Sequence, residues 1–357
     1  MVDVAVSPTA DERPSLLRKR VTQQNMADKA GYRLEGNLKF LNMLGFEAEA
    51  MCCRFNSAGK LLAVGLANGA IKIFSMESKS ITYSIPSPAS NNKLPVTSVR
   101  WKPAGKDVQQ YGNIILAAYA SGECRRWHVT TGKCLHISKE DAQLLACSYS
   151  STGDHSIVSG SDGKIYLYDE ETGNQIHVME PSTNTEVMDG HVMRVFSVQY
   201  NPSDDHTFIS GGWDGTIQWW DTRVSNKYSI RKISGPHICG ESLDIEPSTM
   251  MIVAASWRKQ KNLQIFDYGS GKEIKLIPED YTKSMLYCAQ WKDRDSLICG
   301  GSHSNMLRLV DYASSQTTGR VLNIPGAVYS MDHNRHGNNP IIAFCTEKNL
   351  FMVQDTL

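Results

Sequence analysis

The fold is decided by one stretch of the chain, from Gly190 to Asp221, which reads GHVMRVFSVQYNPSDDHTFISGGWDGTIQWWD. Apolar and polar residues alternate in short runs along it, as in VFSVQY and TIQWW, and this alternation is typical of β-strands with one buried face. The pair Asp214-Gly215 separates the last two runs and supplies the positive backbone dihedral that a tight hairpin needs. The stretch therefore predicts consecutive antiparallel strands joined by short turns.

The same pattern recurs along most of the chain, at a period of about 45 residues, which is typical of repeat architectures. The first strand of each unit ends at a bulky residue, in order Phe55, Trp101, Tyr149, Tyr200, Ile245, Trp291 and His333. The third strand of each unit ends at a second marker, in order Phe74-Ser75, Trp127-His128, Tyr168-Asp169, Trp220-Asp221, Phe266-Asp267, Val310-Asp311 and Gln354-Asp355. Both markers count seven units.

A fourth strand follows the second marker in the complete units, for example KCLHIS at 133–138 and KEIKLI at 272–277. Seven units of four short antiparallel strands predict an all-β protein, a seven-bladed β-propeller. The predicted blades lie near residues 49–93, 94–140, 141–185, 186–235, 236–281, 282–325 and 326–357.

The seventh unit lacks a fourth strand of its own, whereas NLKFLNML at 37–44 forms a predicted strand before the first unit. An open ring would leave two unpaired sheet edges, which proteins avoid. We therefore predict that 37–44 completes the seventh sheet and closes the ring; the alternative is a stray leading strand. The predicted propeller spans 31–357, and residues 1–30 are predicted to form a flexible arm, or a partner-induced helix over Pro14–Lys29.

Composition excludes several functional classes. The 357 residues contain 37 Lys and Arg against 37 Asp and Glu, so no net charge attracts a polyanion and nucleic acid is not the expected partner. The apolar runs are too short to span a membrane, and the N-terminus is acidic and interrupted by proline, unlike a signal peptide. The nine cysteines include no Cys-x-x-Cys pair and are expected to be reduced. These features predict a cytoplasmic or nuclear protein.

From its Gly-His opening to its Trp-Asp close, the stretch Gly190 to Asp221 resembles a complete WD-repeat blade, and the other units resemble it more weakly. The resemblance implies a structural hydrogen-bonded tetrad in this blade, formed by His191, Ser210, Asp214 and Trp220. A histidine, a carboxylate and a hydroxyl also fit a hydrolase triad. We favour the structural interpretation, because within the tetrad each polar group would be satisfied inside the sheet.

No motif for phosphate binding, dinucleotide binding, zinc proteolysis or a nucleophile elbow occurs in the sequence. The pair His333 and His336 has a spacing that could chelate a metal on a helix, but it falls at a predicted strand end and turn. We therefore predict no catalytic residue, no metal site, no cofactor and no small-molecule substrate.

The remaining candidates are surface residues in loops, where large aromatic and cationic side chains anchor partners. Trp213 directly precedes Asp214 in the bend between the second and third strands, and the resemblance implies that this bend lies on the top face. The candidate partner-binding residues on blades four to six are Trp213, Arg194, Trp257, Arg258 and His303. They predict a non-enzymatic scaffold or adaptor that presents propeller faces to other proteins in a multiprotein complex.

The end of the fourth blade, Trp220-Asp221-Thr222-Arg223, resembles the box found in WD-repeat substrate receptors of cullin-RING ubiquitin ligases. In that alternative, Asp221 and Arg223 form an adaptor box at the bottom rim, where the planar guanidinium suits a carboxylate or backbone carbonyls. The other interpretation is that these residues only complete the last strand of a well-formed blade and bind no adaptor. A catalytic propeller is the third hypothesis.

Overall fold

The computed structural model describes residues 31–88, 93–103, 112–181, 189–224, 228–335 and 339–356. These residues form 29 strands and no helix. The predicted arm 1–30, with its candidate helix, lies outside the described residues, and the domain boundary at residue 31 stays a prediction.

The strands form seven antiparallel sheets, the blades, arranged in chain order. Two strands precede the first blade: β1 (Arg33–Gly36) and β2 (Leu38–Gly45). Blade one contains β3 (Ala50–Phe55), β4 (Leu61–Leu66), β5 (Ile71–Ser75) and β6 (Ser80–Ile85). Blade two contains β7 (Val96–Trp101), β8 (Ile114–Tyr119), β9 (Glu123–His128) and β10 (Lys133–Lys139). Blade three contains β11 (Leu144–Tyr149), β12 (His155–Gly160), β13 (Ile165–Asp169) and β14 (Gln175–Met179).

The remaining blades follow the same plan. Blade four contains β15 (Val195–Asn201), β16 (Asp204–Gly212), β17 (Thr216–Asp221) and β18 (Arg231–Ser234). Blade five contains β19 (Leu243–Ile245), β20 (Met251–Ala255), β21 (Leu263–Asp267) and β22 (Glu273–Leu276). Blade six contains β23 (Met285–Asp293), β24 (Ser296–Ser302), β25 (Met306–Asp311) and β26 (Thr317–Leu322). Blade seven contains β27 (Ser330–His333), β28 (Ile341–Thr346) and β29 (Asn349–Asp355).

The N-terminal strand β2 completes blade seven. It pairs antiparallel with β29, from Leu38 opposite Asp355 to Gly45 opposite Asn349. The first strands also contact one another in sequence around the ring, and β27 contacts β3. The prediction of a seven-bladed all-β propeller closed by an N-terminal strand is therefore confirmed.

Strand β1 was not predicted. It pairs antiparallel with β26 and gives blade six a fifth, outer strand. The chain then turns at Gly36, with a φ of 71°, and enters blade seven as β2. The N-terminal segment therefore joins the last two blades.

The apolar core lies between neighbouring blades. One buried cluster, for example, joins Ile157 and Leu167 of blade three to Val198 and Phe208 of blade four. Because each sheet is covered on both faces, the inner strands read as nearly continuous apolar runs such as LLAVGL in β4. Each fully buried large apolar side chain contributes about 1.5–3 kcal/mol of hydrophobic free energy.

A buried ion cluster crosses the central channel. Glu241, in the loop before β19, accepts from Arg54 Nη2 at 2.8 Å and from Arg100 Nη1 at 2.7 Å. The hydroxyls of Ser98 and Ser330 donate to the same carboxylate at 2.7 and 3.1 Å. These four partners belong to blades one, two and seven, so one blade-five carboxylate connects four blades.

Candidate interaction face

The loops that enter the first strands and the bends between second and third strands lie at one end of the propeller, because adjacent strands run antiparallel. We call this the entry end, and it corresponds to the top face on which the bend at Trp213 was predicted to lie. The other end, where first and third strands finish, is the exit end. Trp213, Arg194, Trp257, Arg258 and His303 all lie in loops or bends at the entry end.

The four tetrad residues meet in blade four. His191 Nδ1 lies 2.8 Å from Asp214 Oδ2, and His191 Nε2 lies 2.7 Å from Ser210 Oγ. Trp220 Nε1 donates to the same hydroxyl at 2.7 Å. With Nδ1–H donating to the carboxylate, Nε2 accepts from Ser210, so the chain of donors runs from Trp220 and Ser210 towards Asp214.

Asp214 also accepts from the backbone N–H groups of Val192 and Thr216, both at 3.1 Å, and from Thr216 Oγ1 at 2.8 Å. Burial alone would raise the pKa of Asp214, but the hydrogen bonds from His191 and Thr216 outweigh it and lower that pKa. His191 and Ser210 are completely buried. A substrate cannot reach the hydroxyl in this geometry, and the arrangement supports packing of the blade and of the bend at Trp213.

The blade-four side of the entry end carries a first group of aromatic rings. Trp213 packs on Phe196 with ring centroids 5.6 Å apart and meets His237 edge-on at 5.7 Å. The Arg194 guanidinium lies over the Trp213 ring, 5.9 Å from its centroid. Trp213 is half-buried and Arg194 is exposed, so this group presents the edge of a packed cluster to solvent.

A second group continues across blades five to seven. Trp257 packs on Tyr287 at 6.1 Å and on His303 at 6.4 Å, and Tyr287 packs on Tyr329 at 5.7 Å. The two groups adjoin, since the backbone N–H of Trp257 donates to the backbone carbonyl of His237 at 2.9 Å. Together they form the aromatic arc, defined as Phe196, Trp213, His237, Trp257, Tyr287, His303 and Tyr329.

Four members of the aromatic arc were missed by the sequence analysis: Phe196, His237, Tyr287 and Tyr329. Three of them occupy one slot, four residues before the bulky marker of the first strand. Phe196 and Tyr287 are the extra residues of β-bulges, between Val195 and Ser197 and between Leu286 and Cys288. Because a bulge re-aims its side chain, this slot is the signal that could have found them.

At the exit end, Arg223 is exposed but engaged. Its Nε and Nη2 donate to Asp221 at 2.9 and 2.7 Å, and Nη2 lies 3.4 Å from Asp204. The hydrogen bond from Arg223 lowers the pKa of Asp221. The side chains proposed as an adaptor box therefore form an ion pair with each other.

The exit end also contains a cavity of about 530 Å³, lined by residues that include Asp244, Trp291 and His333. His333 Nε2 donates to the Trp291 carbonyl at 3.0 Å. Burial, together with the charge of Arg335, lowers the pKa of His333 to about 4. His336, the other member of the histidine pair, lies outside the described residues, within which no group of three or more potential metal ligands occurs.

Comparison with known proteins agrees with this architecture. The WD domain, G-beta repeat model matches residues 132–169 and 182–221, and the anaphase-promoting complex subunit 4 WD40 domain model matches 33–104. The guanine nucleotide-binding protein subunit beta of Arabidopsis thaliana is 27% identical over 279 residues, or 73% of this chain and 69% of that protein.

Two further relatives match over about half of this chain. The U5 small nuclear ribonucleoprotein 40 kDa protein of Dictyostelium discoideum is 23% identical over 185 residues, which cover 51% of this chain and 46% of the relative. The U3 small nucleolar RNA-associated protein 12 of Saccharomyces cerevisiae is 23% identical over 171 residues, which cover 48% and 17%. The chain thus spans less than half of the length of these two relatives.

Seven four-stranded blades, a tetrad in blade four and these matches define a class of protein, the WD-repeat β-propeller. Residues 132–169 and 182–221 of the chain match the repeat of that class. WD-repeat propellers are protein-interaction scaffolds as a class. No helix that could cross a membrane is found in the described ranges.

Proposed function

We propose that the chain is a non-enzymatic scaffold or adaptor that binds partner proteins through the aromatic arc at its entry end. The observation that carries the proposal is the continuity of the arc over blades four to seven, with Arg194, Arg258, His303 and Tyr329 exposed along it. Trp, Tyr and Arg are the side chains most enriched among binding hot spots. A rigid sheet frame holds them in loops, where binding residues concentrate.

One strained residue supports the same surface. His303 is exposed and has a φ of 75°, in the left-handed region that side chains other than Gly rarely adopt. Such a conformation costs on the order of 1–3 kcal/mol and is over-represented in ligand-binding segments. Holding His303 against Trp257 in this bend is consistent with a binding role.

The relatives support the proposed setting. Two of them are named as a small nuclear ribonucleoprotein component and a small nucleolar RNA-associated protein. From these names we infer only that the partners are proteins of a multiprotein complex in the nucleus or cytoplasm. The balanced charge of the chain gives no support to direct nucleic-acid binding.

The proposal is tested by affinity purification from native cells with variants at the two ends. Trp213→Ala and Trp257→Ala remove aromatic anchors at the entry end and should each weaken partner binding by about 2 kcal/mol or more, roughly thirtyfold in Kd. Arg223→Ala, at the exit end, should bind as the wild type does. Thermal melting and circular dichroism show whether each variant keeps the fold. Loss of partners with Arg223→Ala, and none with either tryptophan variant, would contradict the proposal.

The second candidate is the substrate receptor of a cullin-RING ubiquitin ligase. The observation that favours it is the exposed Arg223 beside Asp221 at the exit end, which is the rim where the sequence predicts the adaptor box. The same purification tests this candidate. Recovery of a cullin and its adaptor with the wild type, and their loss with Arg223→Ala alone, would establish it in place of the plain scaffold.

A further inference from the structure

The part of the aromatic arc on blades four to six lies in a positively charged sector. In the described entry-end loops of blades four to six, the exposed cations are Arg194, Arg258, Lys259, Lys261 and Lys283, and the exposed carboxylate is Glu279. Three further carboxylates of these loops have buried side chains and are engaged: Asp214 with His191, Glu241 with Arg54 and Arg100, and Asp280 with Arg320. Two others, Glu180 and Asp189 in the loop that enters blade four, are half-buried. Because the whole chain has no net formal charge, this excess of cations is local.

Two of these cations lie within the arc itself. Arg194 lies over Trp213 in the first aromatic group. Arg258 follows Trp257, and its Nη2 would lie 3.9 Å from a Cβ placed on Gly215, so the side chain reaches back to the blade-four bend. Burial and then the charge of Arg258 lower the pKa of His237, the ring that links the two groups. Cationic and apolar surface therefore alternate along one line.

We infer that the aromatic arc binds an acidic peptide segment of its protein partner. In this geometry, aspartate or glutamate side chains pair with the guanidinium groups of Arg194 and Arg258, and apolar side chains between them pack on the exposed edges of Trp213 and Trp257. Planar guanidinium groups donate in pairs to carboxylates, which fixes the register of such a segment. The inference rests on the proposed function and adds the chemistry of the ligand.

The ring geometry favours a peptide over single-stranded nucleic acid. Bases bind by stacking on open aromatic faces. The Trp213 ring is covered by Arg194 and contacted by Phe196 and His237, while Trp257 packs on Tyr287 and His303. These rings present edges, which suit aliphatic side chains, and the sector has too few cations to follow a long phosphate backbone.

The test measures binding of three labelled probes to the full chain by fluorescence anisotropy. The probes are a twelve-residue peptide of acidic residues alternating with leucine, the same peptide with lysine in place of each acid, and an oligouridylate of equal length. We expect the acidic peptide to bind, with an affinity that falls as salt is raised. Stronger binding of the lysine peptide or of the oligouridylate, or no binding of the acidic peptide, would overturn the inference.

Variants locate the contact. Arg258→Glu and Arg194→Glu should each weaken acidic-peptide binding by about tenfold, since each replaces an attraction with a repulsion. Lys93→Glu is the matched control, because Lys93 is an exposed cation at the entry end of blade two, away from the blades that carry the aromatic arc. An equal loss with Lys93→Glu would overturn the inference. If Trp257→Ala loses the native partner while the acidic peptide fails to bind, the acidic ligand is excluded and the proposed function stands.

Discussion

At the scale of single residues, Glu241 has the largest predicted effect on stability. Glu241→Gln leaves Arg54 and Arg100 facing a neutral group in the buried channel, and breaking a buried pair on one side costs about 3–5 kcal/mol. We expect a loss of this size in chemical denaturation at neutral pH. Glu123→Gln is the control, because Glu123 and its partner Arg125 are partly exposed side chains on β9, and an ion pair in contact with solvent contributes about 0–1 kcal/mol.

The effect of Glu241 depends on pH. Burial would raise the pKa of Glu241, but the charges of Arg100 and Arg54 hold it at about 2, below its ordinary value of 4.5. A depressed pKa in the folded state means that the stabilisation is complete above about pH 4.5 and is lost as the pH falls towards 2. The stability difference between wild type and Glu241→Gln should therefore shrink over this range. A difference that stays constant from pH 7 to pH 2 would contradict the assigned ion cluster.

The tetrad gives a second prediction at this scale. Asp214→Ala removes the acceptor for His191 Nδ1–H and for two backbone N–H groups in a buried site, at a cost of about 2–4 kcal/mol. Ser121→Ala, in the matching bend of blade two, should cost much less, because Ser121 does not cap a buried tetrad. Thermal melting of the two variants checks this. Equal shifts in Tm would show that blade four gains nothing from its tetrad.

The sequence predicts the residues of the tetrad but not the ion cluster. The tetrad is implied by the resemblance of Gly190 to Asp221 to a WD-repeat blade, because all four of its residues lie within that one unit. In the sequence, Arg100 is 141 residues and Arg54 is 187 residues away from Glu241. Only the closed ring brings the three side chains together. A partial signal exists, because the residue before the marker is polar in all seven units: Arg54, Arg100, Ser148, Gln199, Asp244, Gln290 and Asp332.

At the scale of elements, the N-terminal segment closes the ring. Deletion of residues 1–30 removes no described strand, whereas deletion of 1–44 removes β1 and nearly all of β2, and exposes the edge of β29. We expect the shorter deletion to melt as the wild type does and the longer one to lose the cooperative transition or aggregate, because an open sheet edge is exposed. A soluble, cooperatively melting protein without 1–44 would show that the ring closes in another way.

Gly36 gives a sharper test of the same segment. A Cβ at Gly36 would lie 2.0 Å from the Thr318 carbonyl oxygen, so Gly36→Ala must displace β1 from β26. Gly31 also has a positive φ, but a Cβ there meets nothing within 4 Å. Gly31→Ala should therefore cost only the backbone strain, about 1 kcal/mol, and Gly36→Ala clearly more. Equal losses of stability would indicate that the contact between β1 and blade six is unimportant.

Strand β1 shows why sequence analysis predicted only part of this element. Its four residues, RLEG, are too short to establish an alternation, and their partner β26 lies almost 300 residues away. The longer run in β2 alternates clearly between half-buried and exposed side chains, and was predictable. A strand at an outer edge needs little apolar content, so composition gives no signal for it.

At the scale of the whole molecule, the repeat period predicts the ring, but the interaction face depends on contacts between blades. Trp213, Trp257 and His303 were predicted individually from their bends. These residues form one continuous arc because His237 and Tyr287 contact them and connect the bends of neighbouring blades. Such contacts between successive blades leave no spacing rule within a single unit, apart from the bulge slot that Phe196 and Tyr287 share.

The central claim, that partners bind the entry end, is tested most directly by hydrogen–deuterium exchange of the chain with and without a purified native partner. We predict slower exchange in the segments 191–196, 235–242, 256–262 and 302–305, which carry or adjoin the aromatic arc. Exchange should be unchanged in the exit-end segments 202–206 and 221–224. Protection confined to the exit end, around Asp221 and Arg223, would contradict the account.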